Sequence, residues 1–124
     1  MTVNKTTISE LANLAGKAGS KNTIGIVGSH PGGSSTEGVQ DLIGNVWEWV
    51  ADDYAPYKGN TYAPKKNNNG AKVIRGASAS YFGHFPGAAY EAVLEKMARS
   101  GFRQPAQPDQ ASEDVGFRCA AKTK

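Results

Sequence analysis

Two carboxylates with a turn between them are the first residues in this sequence whose types and spacing suggest chemistry. Asp41 and Glu48 lie seven residues apart in DLIGNVWEW, and the Gly44-Asn45 pair between them favours a tight turn with positive φ. If the chain folds back there, the two carboxylates face one another with the carbonyls of Gly44 and Val46 between them. Calcium takes such a set of hard oxygens as ligands. Asp41, Gly44, Val46 and Glu48 are therefore the candidate metal ligands, and calcium is the expected cofactor. A structural arrangement fits the same spacing: Asp41 caps the turn and Glu48 pairs with an arginine such as Arg75 or Arg118. Charge buried here must be compensated either way.

Other chemistry finds less support. Cys119 is the one cysteine, so no intrachain disulfide, CxxC pair or Cys/His zinc constellation can form. The alternation of VGFRCA places its thiol in the core as a small hydrophobe. His30 precedes Pro31 and reads as a turn residue, whereas His84 stands among Tyr81, Phe82 and Phe85, a setting that suits ligand contact in an exposed loop. GASAS at 76–80 makes no convincing nucleophile elbow, and GSHPGG at 28–33 lacks the lysine and following helix of a phosphate-cradling loop. No catalytic residue is expected. Tyr57, Tyr62, Tyr81, Phe82, His84 and Phe85 are the candidate ligand-binding residues.

The elements that must position these groups are short. Thr7 and Glu10 read as a capping box, and Ile8, Leu11, Leu14 and Ala15 fall at helical spacing, which predicts a helix from Thr7 to about Ala18. Strands are predicted at Thr23–Val27, Trp47–Ala51, Val73–Arg75 and Val115–Ala120. One of Trp47 and Trp49 is expected in the core and the other on the opposite face. Residues 53–70 and 76–87 read as long loops, and Gln104–Glu113, with two prolines, as a third. Ala88–Arg99 is the best helix, with Ala89, Val93 and Met97 on one stripe and Tyr90 and Leu94 beside it.

A chain of 124 residues can bury one core, so one domain over 1–124 is expected, with residues 1–22 a candidate N-terminal helical extension. Fifteen glycines and six prolines point to many turns. The net charge of +3 is spread along the chain without a basic run, which argues against nucleic acid as a partner. MTVNKTTISE holds no apolar signal core, and no run of about eighteen apolar residues occurs, so neither a signal peptide nor membrane insertion is expected. A virion or the cytoplasm stays open as the location.

Three ordered blocks, GNVWEWVADDY at 44–54, VIRGAS at 73–78 and RSGFR at 99–103 closing with DVGFRCA at 114–120, resemble the formylglycine-generating enzyme family, the sulfatase-modifying factors. The resemblance spans roughly residues 25–121 and implies an α+β, C-type-lectin-like fold with short twisted antiparallel strands, about two helices and long irregular loops. It implies that calcium ligands come from the two ends and the inner carbonyls of the Asp41–Glu48 motif. It also implies that this chain corresponds to the C-terminal half of a longer family domain. Family oxidases bind copper through two cysteines shortly after the RGGS-like block, and here that position reads ASYFGHFPGAAY without either. Iron-dependent relatives use a histidine triad, and two histidines are one too few. Neither copper nor iron is expected.

The expected function is a non-catalytic binding or structural module on this scaffold. It would recognise a protein or glycan through loops 54–69 and 81–90, as a homo-oligomer or part of a larger assembly. Tyrosine, asparagine, serine and glycine dominate those loops and suit adaptable recognition. A phage virion protein, as a tail, receptor-binding or capsid-decorating subunit, is the concrete form by analogy. The alternative is a metal-dependent oxidoreductase-like enzyme or subunit completed by a partner chain.

Overall fold

The computed structural model describes residues 5–15, 23–61, 70–80 and 87–123. Within them lie helix α1 (Lys5–Leu11), strand β1 (Trp47–Asp53), strand β2 (Lys72–Arg75), helix α2 (Gly87–Met97), strand β3 (Gln104–Ala106) and strand β4 (Val115–Gly116). The strands form one sheet in the order β3-β2-β1-β4. The α+β class and the small helix count hold. The sheet is mixed rather than antiparallel, because β4 runs parallel to β1 while β1–β2 and β2–β3 are antiparallel. No helix among the described residues is long and apolar enough to cross a membrane.

Period-two alternation decides the faces of the sheet. Trp47 and Trp49 share one face, contrary to the expectation that they oppose each other, and Ile74 joins them there as the cross-strand partner of Trp49. Trp47 and Ile74 belong to the core cluster with Ala12, Leu14, Ala15, Ala77, Tyr90 and Leu94, and Trp49 packs against it. Glu48, between the tryptophans, is paired in register with Arg75 and points the other way. In α2 the core residues are Tyr90 and Leu94, with Val93 and Met97 at the margin, whereas Ala89 is exposed. The larger side chains took the interior and the stripe rotated toward them.

Four boundaries differ from those the sequence predicts. α1 stops at Leu11, and after Ala12 closes its last turn onto Ile8 the chain runs on without helix to Ala15, because Asn13 and Ala15 bond to distant parts of the chain. Asn13 accepts from the Asn45 amide at 2.7 Å, Ala15 donates to Ser78 at 3.2 Å, and the Ala15 carbonyl accepts from the Tyr90 hydroxyl at 2.9 Å. The TIGIV stretch is not a strand. Ile26 and Val27 are 83% and 79% exposed, and Gly25 takes its hydrogen bonds from a side chain. Gln104–Ala106, expected as loop, is an edge strand; Pro105 is tolerated there because an edge leaves one side of the ladder unused. The closing strand ends at Gly116, so Phe117 and Cys119 lie exposed rather than in the core.

The turn at Gly44-Asn45 forms as expected and fixes the centre of the fold. Gly44 and Asn45 have φ of 87° and 66°, in the left-handed region. A Cβ on Gly44 would sit 2.5 Å from the Asn13 carbonyl oxygen, so glycine is needed both for conformation and for closeness. Asn45 is buried at 6% exposure, and its carboxamide both donates and accepts. Its Oδ1 accepts from the Gly25 amide at 2.8 Å and from Asn13 Nδ2 at 3.2 Å, its Nδ2 donates to the Gly25 carbonyl at 3.3 Å, and its own carbonyl accepts from Ala79 at 3.0 Å. Asn45→Ala removes these side-chain bonds and leaves a non-glycine residue with positive φ, and is expected to cost about 3 kcal/mol. Urea denaturation measures it, and a loss below about 1 kcal/mol would show that Gly25 finds another partner.

Candidate functional site

The left-handed conformation extends to Asp41, whose φ is 54°. That turn lets its carboxylate reach back to accept from the Gly28 amide at 2.7 Å, so Asp41 clamps the preceding loop. β1 then begins, and its alternation sends Glu48 to the same side. Asp41, Gly44, Val46 and Glu48 accordingly line one open cavity of about 500 Å³, with Val27, Gly28, Gly38, Gln40, Asn45, Gly116, Phe117 and Arg118 completing its walls. The four expected ligand residues are brought together.

A cation already stands against the Glu48 carboxylate in this cavity. The chain leaves β4 after Gly116, and Arg118 turns back over β1, where its Nε donates to both Glu48 carboxylate oxygens at 2.9 Å. Nη2 donates to Glu48 as well and to the Asp41 carbonyl at 3.2 Å, and Nη1 donates to the Gln40 carbonyl at 2.8 Å. Of the two arginines that could pair with Glu48, the structure thus selects Arg118, although Arg75 is its register partner across β1–β2. The hydrogen bonds that Arg118 donates to Glu48 raise its pKa above the ordinary value and hold the guanidinium charged.

The donor set therefore fits a guanidinium first. Among the described residues no three His, Cys, Asp or Glu side chains converge, so calcium here would depend on two carboxylates and on carbonyls. Both Glu48 oxygens are engaged by Arg118, and a metal ion there would compete with a guanidinium for the same carboxylate. Arg118→Gln should free the carboxylate while leaving Glu48, which is 21% exposed, without its charge partner. That variant is expected to lose about 2 kcal/mol of stability without calcium and to gain a larger calcium-dependent rise in Tm than the wild-type chain. Thermal melts in chelator and in excess calcium measure both, and equal shifts in the two proteins would show that Arg118 and calcium do not compete.

The other expected site residues divide. Tyr62, Tyr81, Phe82, His84 and Phe85 lie outside the described residues. Tyr57 is 48% exposed, and its hydroxyl donates to the Gly101 carbonyl at 3.0 Å while accepting from Arg75 at 3.1 Å. Arg103 lies over its ring, 3.7 Å from the centroid, and 5.4 Å from that of Tyr54. Sequence reasoning named Tyr57 but missed this stack, since 44 residues separate Tyr57 from Gly101 and no local periodicity links them. His30 closes a single 3-10 turn as a turn residue, its carbonyl accepting from Gly33 at 3.0 Å. Ser78, fully buried, donates to Asp114 at 2.7 Å, and Ser112 donates to the other Asp114 oxygen at 2.6 Å. That arrangement ties the loop after β2 to the mouth of β4 and presents no free nucleophile.

Comparison with known proteins places this geometry in a lineage. The model of the sulfatase-modifying factor enzyme 1-like domain matches residues 5–123. The chain is 37% identical over 84 residues to the inactive C-alpha-formylglycine-generating enzyme 2 of Mus musculus, covering 68% of this chain and 22% of that protein. It is 28% identical over 103 residues to the formylglycine-generating enzyme of Mycobacterium tuberculosis, covering 79% and 34% of the respective chains. With hercynine oxygenase of Mycolicibacterium smegmatis it shares 39% identity over 51 residues, 41% of this chain and 11% of that one. The chain thus spans between about a tenth and a third of the length of these relatives.

Proposed function

Because the chain belongs to the sulfatase-modifying factor enzyme 1-like family yet carries a single cysteine, we propose that it is a non-catalytic binding or structural module on that scaffold. The cysteine count carries the reading. A copper site of the family type needs two thiolates after the VIRGAS block, and the one thiol here is exposed beyond β4. The similarity to a relative whose name marks it as inactive supports the same conclusion. What the scaffold offers instead is a small sheet, clamped by Asn45 and Arg118, with Tyr54 and Tyr57 on the described part of the loop after β1.

The finer form of the proposal is a subunit repeated in an assembly, as in a phage virion, that recognises a protein or glycan through residues 54–69 and 81–90. Calcium at Asp41, Gly44, Val46 and Glu48 belongs to the proposal as a structural ion in competition with Arg118. The likeness to hercynine oxygenase favours a second reading, an oxidoreductase-like subunit whose site a partner chain completes. Oxygen uptake separates the two. Supplied with copper(I) or iron(II) and a cysteine-containing peptide, the full chain is expected to consume no more oxygen than the metal and peptide do without it. Turnover would overturn the module reading, and turnover that survives Cys119→Ser would place the chemistry away from the thiol.

A further inference from the structure

Two guanidinium groups meet on one ring without a counter-charge. Arg103 lies over the Tyr57 ring, its Cζ 3.7 Å from the centroid, and Arg75 donates to the hydroxyl of the same residue at 3.1 Å and to the Ser100 carbonyl. The Tyr57 hydroxyl donates onward to Gly101 at 3.0 Å. Loop 54–60, the end of β2 and the segment after α2 are thereby fastened together, and the ring on which Arg103 rests is held in place.

Every acceptor in this cluster is neutral. Arg75 stands opposite Glu48 in the β1–β2 register, where a cross-strand ion pair would form, but Glu48 gives both oxygens to Arg118. The ion pairs among the described residues use other cations: Lys72 with Asp53, Arg99 with Glu95, Arg118 with Glu48. Neither Arg75 nor Arg103 has a carboxylate partner among the described residues. Both are half-buried, and the exposed Lys58 beside Tyr57 adds to the positive field.

A stacked arginine keeps the edge of its planar fork for bidentate hydrogen bonds to an oxyanion, with little rotamer freedom left to lose. We propose that Tyr57, Arg75 and Arg103 form an oxyanion site that takes the carboxylate or sulfate group of an acidic sugar. Tyr57 favours a sugar over an acidic peptide side chain. Tyr57 stays 48% exposed as a residue even with Arg103 over its ring, and an amphipathic aromatic side chain beside a charged fork matches a pyranose, which carries apolar C–H faces next to its acidic substituent. This inference deepens the binding-module reading and rests on it.

Calorimetric titration of the full chain tests it, with sialyllactose as the carboxylate probe, a heparin disaccharide as the sulfate probe and lactose as the neutral control. Binding of at least one acidic sugar is expected, with lactose weaker by about tenfold or more. The stronger probe identifies the anion. Arg103→Gln should lower that affinity by about tenfold, and Arg103→Lys, which keeps the charge but loses the fork, by less. Arg99→Gln removes an equal charge from an exposed helix-end pair and should leave binding unchanged. Should Arg103→Gln fail to fold in a thermal melt, Tyr57→Phe keeps the ring under Arg103, removes the hydroxyl, and should weaken binding severalfold. Lactose binding as tightly as the acidic sugars, or wild-type affinity in folded Arg103→Gln, would overturn the site. A glutamate peptide binding as tightly as the acidic sugars would overturn the sugar assignment. If a neutral glycan or a protein binds while acidic sugars do not, the inference fails and the module reading stands; oxygen turnover would remove both.

Discussion

The carboxamide of Asn45, buried at a left-handed turn, holds three stretches of chain that no regular element joins. Through it the turn before β1 is bonded to Asn13 and Gly25, and through its backbone carbonyl to Ala79. The four described strands are two to seven residues long, so ladder bonds alone bind little of the chain. Side-chain to backbone bonds take over where strands would otherwise be needed, and an asparagine can do this because it donates and accepts at once. It also tolerates positive φ better than other non-glycine residues. Gly44, beside it, admits the Asn13 backbone at a distance no Cβ allows.

From that turn the charge pattern follows. Once Asn45 sets the direction of β1, alternation puts Trp47 and Trp49 on the α2 side and Glu48 on the other. Glu48 then has two arginines within reach of its face, and the geometry of the departing chain after β4 gives it to Arg118. Bidentate pairing of a guanidinium with a largely buried carboxylate, plus two backbone carbonyls, satisfies both charges at once. Arg75 is left to neutral acceptors, and with Arg103 it concentrates positive charge around Tyr57. One pairing choice thus shapes both the cation-like plug at the turn and the unpaired face beside the loop.

Legibility varied with the range of the interaction. The Gly44-Asn45 turn, β1, β2 and α2 could be read because local conformation and periodicity specify them, to within a residue or two of their ends. TIGIV has the composition of a strand, but a strand needs a free edge to pair with, and Gly25 is met by the Asn45 side chain instead. Cys119 sits at an inward position of an extrapolated alternation. The strand ends at Gly116, and the phase carries no information past that point. Pro105 concealed β3, since proline argues against a strand unless the edge is known.

What the sequence determined by itself is the family, the α+β class and the left-handed turn, because these rest on motifs within a few residues of one another. Only the tertiary structure decided which arginine neutralises Glu48, that Ala12–Ala15 leaves its helix for the core, and that Arg103 stacks on Tyr57. Each of these is a competition among partners tens of residues apart, settled by which backbone path brings them within hydrogen-bond reach.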